Sequence, residues 1–531
     1  HRIFYGARVA SKKPQARTRS ALFLFSLSLP LKTNNPVYPV FIPSSCQHII
    51  PFILSSSCHP VLSLPPNQKS RPSCRNIIPS KIFFALSKSI MIFLLHFRYS
   101  RLIITSMIDR PEYIEKIRPF IGKGVVKVLT GIRRSGKTVL LQLIQQELCA
   151  RGVPQSRIFA INFESALDPS MHDRDEVYRM IQQAAGAGHG TLFLFLDEVQ
   201  ELEGWERLVN SCMIDFDIDV YLTGSNAKLL SGELATYLGG RYVEIKVYPF
   251  SFEEALRAGL GGNEGDEGVK TPAPESRASL ARSPKEAFLL YLRRGGMPFL
   301  YNAKLDEPAI RQYLGDIFNS IILKDIAQRH QVRDIEQLRR VIYYLVANIG
   351  TTFSASSVSR FMKNEHRSIA PETLYNDIEY CKDACLLHLV PREDVQGKRL
   401  LSFQEKIYIA DHGLREALFG TNQRDIQQTL ENIVYMELLR RGWNVHIGKV
   451  RDAEVDFVAE RSGEREYIQV AYLLATEETI AREFGALDTI PDHYPKLVLS
   501  LDDIDLSRNG IRHKNLISWL LRQDERDSWT G

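Results

Sequence analysis

Gly131-Ile132-Arg133-Arg134-Ser135-Gly136-Lys137-Thr138 lies between a β-branched run, Val125-Val-Lys-Val-Leu-Thr130, and a helical pattern, Val139–Leu148. The octapeptide has the G-x-x-x-x-G-K-T spacing of a phosphate-binding loop, and a strand before it with a helix after it is the context that spacing requires. Glycine lets successive backbone N–H groups curl around phosphate oxygens, and the helix N-terminus adds partial positive charge. All eight residues are therefore the candidate cradle for ATP. Lys137 is expected to reach the β- and γ-phosphates, and the Thr138 hydroxyl to take one place on Mg²⁺.

Working outward, a lead-in helix is expected over Asp109–Arg118, with Asp109 as N-cap and Pro111 in its first turn. A strand follows over Arg157–Phe163 and a helix over Asp173–Ala185. Thr191-Leu-Phe-Leu-Phe-Leu196 is continuously apolar, as a parallel strand buried on both faces should be, and it ends in Asp197-Glu198. A carboxylate there can hold the shell of Mg²⁺, a role that falls to Asp197, while Glu198 is set to orient and polarise the attacking water. The next strand, Asp217–Leu222, leads into Thr223-Gly-Ser225-Asn226, where either Ser225 or Asn226 can sense the γ-phosphate. Gly239-Gly240-Arg241 precedes a strand over Tyr242–Val247, and Arg241 can serve as an arginine finger, in cis or towards a neighbouring subunit.

These motifs, together with Tyr-Pro-Phe-Ser-Phe-Glu-Glu at 248–254, resemble the prokaryotic AAA+-type ATPases that carry a C-terminal domain of unknown function, the AAA_14/DUF4143 group. The resemblance runs through nearly all of 107–521. It implies a P-loop sheet in which the strand ending at Asp197 flanks the first strand. It also implies that Gly296-Met-Pro298 lies near the adenine.

Composition bounds the rest. Residues 1–106 hold no acidic residue and fourteen Lys or Arg, so the body carries 53 basic and all 62 acidic residues, a net charge of −9. The global +5 is no argument for nucleic acid. The seven cysteines are scattered; Cys381 and Cys385 read as helix-packing thiols, and a reducing, cytoplasmic setting fits. The chain opens on His1, and 1–106 lacks a period of 2 or 3.6. We read it as upstream translation or disorder, with the biological start at Met107. The alternatives are an organelle transit peptide, or signal or anchor runs at Ala21–Leu31 and Ile82–Phe97. No stable membrane insertion of the body is expected.

The expected fold class is α/β, a P-loop NTPase parallel sheet with a helical lid, then a winged helix-turn-helix and a restriction-endonuclease-like α/β domain. The core spans 107–257, a linker or disordered insertion 258–284, the lid 285–333, the winged helix 334–412 and the last domain 413–525. Three helices (Ile335–Ile349, Ser354–Met362, Ala370–Cys381) and two strands (Leu386–Pro391, Lys406–Ala410) around a polar hairpin, 392–399, make the winged helix. Its third helix should expose Glu372, Asn376, Asp377 and Glu379, a poor face for DNA, whereas Arg392, Lys398 and Arg399 on the wing can touch phosphates. Such a module also serves protein partners.

In the last domain Glu431, Asp456 and Gln469-Val-Ala471 look like the PD-(D/E)-x-K arrangement of nucleases, but Gln469 replaces a carboxylate and Ala471 the lysine. Cleavage is not expected. The leading reading is an AAA+-type ATP hydrolase acting as a switch that couples nucleotide state to these C-terminal domains, on DNA or on a protein partner. An ATP-regulated nuclease and a nucleotide-stabilised scaffold are the alternatives, and the oligomeric state stays open.

Overall fold

A computed structural model describes residues 107–165, 169–227, 238–260, 283–397, 399–420, 422 and 425–522. The readings of 1–106, of most of the linker and of Lys398 fall outside them. Among the described residues no helix is long and apolar enough to cross a membrane.

The chain begins with helix α1 (Pro111–Ile117), strand β1 (Val126–Thr130), α2 (Lys137–Ala150), β2 (Ile158–Asn162), α3 (Arg174–Gly186), β3 (Leu192–Asp197), α4 (Trp205–Asp215), β4 (Ile218–Gly224) and β5 (Tyr242–Lys246). β1, β3 and β4 are buried along their whole length, as their apolar runs require. All four pairings are parallel and the order is β2-β3-β4-β1-β5. The implied adjacency of β3 and β1 is therefore wrong: β4 lies between them. Hydrophobic side chains fill both faces, α2 with α1 on one and α3 with α4 on the other. Lys127 is fully buried in β1 and pairs with Asp219 on β4, which also accepts a hydrogen bond from Tyr221. α1 starts on Pro111 with Arg110 at its N-cap, so Asp109 does not cap it.

Next come α5 (Pro284–Arg294), α6 (Glu307–Ser320) with a π-helical continuation at Ile321–Gln328, α7 (Ile335–Ala347), α8 (Ala355–Asn364), α9 (Pro371–Asp383), β6 (Leu387–Asp394), β7 (Arg399–Ile409) and α10 (His412–Phe419). Ser283 caps α5 in a reciprocal box with Glu286, Ser354 caps α8, and Pro371 opens α9. The chain ends with α11 (Ile426–Arg440), β8 (Asn444–Val450), β9 (Ala453–Arg461), β10 (Glu464–Val470), α12 (Glu477–Asp488), β11 (Lys496–Ser500), β12 (Arg512–Asn515) and α13 (Leu516–Leu520).

Three expectations change here. β6 and β7 are longer than expected, so half of the predicted hairpin loop, 392–394 and 399, is strand. β6 also pairs with β8, which makes one seven-stranded sheet, β12-β11-β10-β9-β8-β6-β7, and a boundary at 412 cuts through it. α5, assigned to a separate lid, packs Phe288, Tyr291 and Leu292 into the core of α11 and this sheet. The surface of the three-helix unit changes too. Asp377 is buried, not exposed, and burial together with Asp334 pushes its pKa up to about 7. Arg392 is buried against Glu454 and Thr352, so it is not available to a phosphate backbone.

Candidate nucleotide site

The loop between β1 and α2 can be read residue by residue. Gly131 has φ +152° and an added Cβ would lie 2.1 Å from the Val247 carbonyl oxygen, so no side chain fits. Gly136, at φ +94°, caps α2 without a side-chain hydrogen bond, which leaves the first-turn amides to a ligand. Ile132 faces away and packs in the core formed by α6 to α10. Arg110 braces the loop from behind: its guanidinium donates to the Ser135 carbonyl at 3.1 Å and to Glu254 at 2.6 Å. Ser135 Oγ is buried without a hydrogen-bond partner, and Arg134 is exposed at φ +68°. An orphaned hydroxyl inside a cradle of amides is what an absent anion would leave.

Lys137 is 3% exposed and folds over the loop, donating to the carbonyls of Gly131 at 3.0 Å and Ile132 at 3.3 Å. Its ammonium also stands 3.5 Å from Glu198 Oε1. Thr138 Oγ1 donates to Asp197 Oδ2 at 2.8 Å, so the hydroxyl and carboxylate read as metal ligands lie side by side. Burial holds the Asp197 pKa above the usual carboxylate value despite hydrogen bonds from Thr223 and Thr138. For Glu198, burial acts in the same direction, but Lys137 and Gln200 outweigh it and leave the pKa below normal. Among the described residues there is no group of three or more His, Cys, Asp or Glu able to hold a metal. A Mg²⁺ ion would thus rely on Thr138, Asp197, water and phosphate oxygens, the usual donor set for this ion on a nucleotide.

Thr223 precedes the two expected sensor residues, Ser225 and Asn226. Thr223, near the end of β4, contacts both acidic residues: its hydroxyl donates to the Asp197 carboxylate at Oδ1 and accepts the Glu198 backbone N–H at 2.9 Å. Asn162, at the end of β2, donates to Asp197 Oδ2 at 2.8 Å. Ser225 instead donates to Asp325 Oδ1 at 3.3 Å, and Asn226 follows it, half-buried. Asp325, in the π-helical continuation of α6, is gripped by Arg133 of the phosphate loop through Nε at 2.7 Å and Nη2 at 2.9 Å. The same guanidinium donates to Glu164 at 2.9 Å, and Glu164 also accepts from Lys324 at 3.1 Å. Burial raises the Glu164 pKa, but these two cations hold it at about 2.

Arg241 does not join the site within one chain. It is exposed at the start of β5, where its carbonyl accepts the Val126 N–H at 3.0 Å. That is the opposite end of β1 from the phosphate loop, roughly 16 Å along a five-residue strand. Only a finger role towards a second subunit remains for it. Pro298 lies beside the loop, with its Cγ 3.7 Å from the Cβ position of Gly136.

Residues 123–256 match a family model described as an AAA domain, AAA_14. Residues 285–425 match a domain of unknown function, DUF8612, where the resemblance drawn from sequence gave DUF4143. An uncharacterized protein of Haemophilus influenzae is 35% identical over 418 residues, which is 78% of this chain and 99% of that protein. An uncharacterized protein of Methanocaldococcus jannaschii is 29% identical over 391 residues, 72% of this chain and 81% of that one. Among solved structures, the ORC1 protein of Aeropyrum pernix in complex with DNA aligns at TM-score 0.26 and 12% identity, over 58% of this chain and 91% of that one. Drosophila ORC bound to AT-rich DNA and Cdc6 aligns at TM-score 0.21 and 13% identity, again over 58% and 91%. At those scores neither alignment bears on the fold of this chain.

Proposed function

This chain belongs to the family of its Haemophilus influenzae relative and carries a P-loop AAA domain; from that premise we propose that it binds and hydrolyses ATP and passes its nucleotide state to the helices and sheet beyond residue 283. The observation that carries this reading is the bidentate pair of Arg133 in the phosphate loop with Asp325 in the helical region.

Thr138 and Asp197 would hold Mg²⁺, which would supply neutralisation of phosphate charge. The remaining chemistry belongs to the chain. The amides of 131–138 and the Lys137 ammonium hold the polyphosphate. Thr223 fixes Asp197 by its hydroxyl and the Glu198 backbone by accepting its N–H. Glu198 pairs with Lys137, whose charge helps hold its carboxyl pKa below normal. Phosphate drawing Lys137 away frees that carboxylate to accept a hydrogen bond from water, as a water-orienting group must. Glu198→Gln is expected to bind ATP with wild-type affinity and to lower turnover at least a hundredfold. Unchanged turnover in that variant, measured by phosphate release, removes Glu198 from the role.

Asp325 is 1% exposed, so breaking its pair would strand a buried charge, at a cost of about 3–5 kcal/mol. The π-helical segment therefore follows Arg133 when phosphate reshapes the loop, and Ser225 travels with it. This motion is the proposed coupling. It predicts that ATP changes hydrogen exchange in 307–328, and that Asp325→Asn loses that change while keeping ATP affinity within about tenfold. Equal ATP-induced protection in variant and wild type would count against the coupling. In the last domain Ala471 is buried at the position read as the lysine of PD-(D/E)-x-K nucleases, while the Lys406 ammonium pairs with three carboxylates.

A further inference from the structure

Away from the nucleotide site, α1 faces the carboxyl end of α11, the end of β9, β12 and α13 across an open cleft of about 720 Å³. Seven of its lining side chains are Lys or Arg and three are Glu, in a body whose net charge is −9. The Arg512 and Arg461 side chains at its rim are 56% and 43% exposed, and each pairs with one glutamate, Glu466 at 3.5 Å and Glu464 at 3.1 Å. Burial by the cleft walls, followed by the nearby Arg522, lowers the Lys116 pKa, while Glu112, Glu254 and Glu437 oppose them. The cations outnumber the acidic groups around the cleft, so it presents a positive surface to an anion.

The second feature is aromatic. The Arg461 guanidinium lies 4.5 Å from the ring centroid of Trp443, and that of Arg441 lies 4.1 Å from the ring centroid of Trp519. Arg441 is fixed underneath by Glu437 at 2.8 Å and by the Trp519 carbonyl at 2.8 Å. Both tryptophans are half-buried and both line the cleft. Cations layered on indole rings offer flat, charged platforms of the kind on which unpaired bases stack. A recess of this volume suits a ligand the size of a few nucleotides of a strand.

We propose that this cleft binds single-stranded nucleic acid, with phosphates against the Arg512, Arg522 and Lys116 side and bases against the Trp443–Arg461 and Trp519–Arg441 layers. The site lies apart from the three-helix unit whose exposed third-helix residues Glu372 and Glu379 repel a backbone. It does not depend on the nucleotide reading.

The test uses the full chain, without ATP, and a fluorescein-labelled oligothymidylate read by anisotropy. Binding should be saturable and weaken with salt. Arg461→Ala with Arg512→Ala should weaken it about tenfold or more and reduce the salt slope by roughly 0.7, the one phosphate contact on a single strand that Arg512 makes. Both arginines are rim residues, so ATP binding in the double variant serves as the folding control. Intrinsic tryptophan fluorescence should be quenched by the strand in the wild type and less in Trp443→Phe. The proposal fails if the double variant binds as wild type does, or if a duplex of equal length binds as tightly. It also fails if inorganic polyphosphate or phosphatidylglycerol vesicles compete as well as the strand, because the bases would then be unused.

Discussion

Lys137→Ala abolishes measurable ATP binding, with affinity falling at least a hundredfold, about 3 kcal/mol. The size follows from what the ammonium does. It is almost fully buried and has already lost its water, and it spends its hydrogen bonds on the Gly131 and Ile132 carbonyls and its charge on Glu198. Exchange of these for phosphate oxygens replaces neutral acceptors by charged ones, which strengthens each bond. Alanine removes that exchange and also leaves Glu198 without its first counter-charge, so the carboxylate pKa moves up under burial. The variant should therefore fail even where the loop backbone is intact. Calorimetric titration with ATP and Mg²⁺ measures the loss, and a thermal melt verifies the fold. Affinity within a few-fold of wild type would mean that the loop is not a triphosphate cradle.

Much of the core was legible because its signals are local. The octapeptide, the apolar run before Asp197 and the Thr138–Asp197 meeting require only short-range pattern and the parallel sheet that such runs build. What stayed hidden is what long-range packing decides. Thr223 was within a quoted tetrapeptide, yet only the insertion of β4 between β1 and β3 brings the end of that strand against Asp197 and Glu198. The cis reading of Arg241 is excluded for the mirrored reason: its glycine pair suggested a mobile finger, but the register of β5 on β1 fixes it at the far end of the sheet. Asp325 had a readable trace. It falls on the buried face of Ile321, Ile322 and Ile326, where an acidic residue demands a cation, although nothing in the sequence named Arg133 as that cation. The same rule applies to Lys406, beside buried Ile407 on an 11-residue strand.

Lys406 carries the second large effect. Its ammonium lies 2.7 Å from Glu454, 3.3 Å from Glu431 and 3.6 Å from Asp456, so one cation from β7 ties α11 to β9. The search for a lysine at position 471 found alanine, while a lysine from a distant strand stands among the carboxylates. Lys406→Ala leaves Glu431 and Asp456 buried with no cation between them, and the expected loss is about 3–5 kcal/mol at pH 8. The pH dependence has a definite sign. Burial and the Asp456 charge raise the Glu431 pKa; burial raises that of Asp456, with Lys406 opposing the rise in both. Groups whose folded pKa lies above the unfolded one stabilise fully below the unfolded pKa and lose that contribution as pH climbs through the folded one. Without Lys406 both folded values move higher, so the variant pays most where both carboxylates are forced to ionise. Urea melts of Lys406→Ala against wild type should show a small deficit near pH 5 that grows steadily as the pH is raised to 8 and beyond. Lys406→Met, which keeps most of the stem volume, should follow the same curve. A deficit equal at both pH values, and absent in the methionine variant, would assign the loss to a cavity and leave the ion cluster without an energetic role.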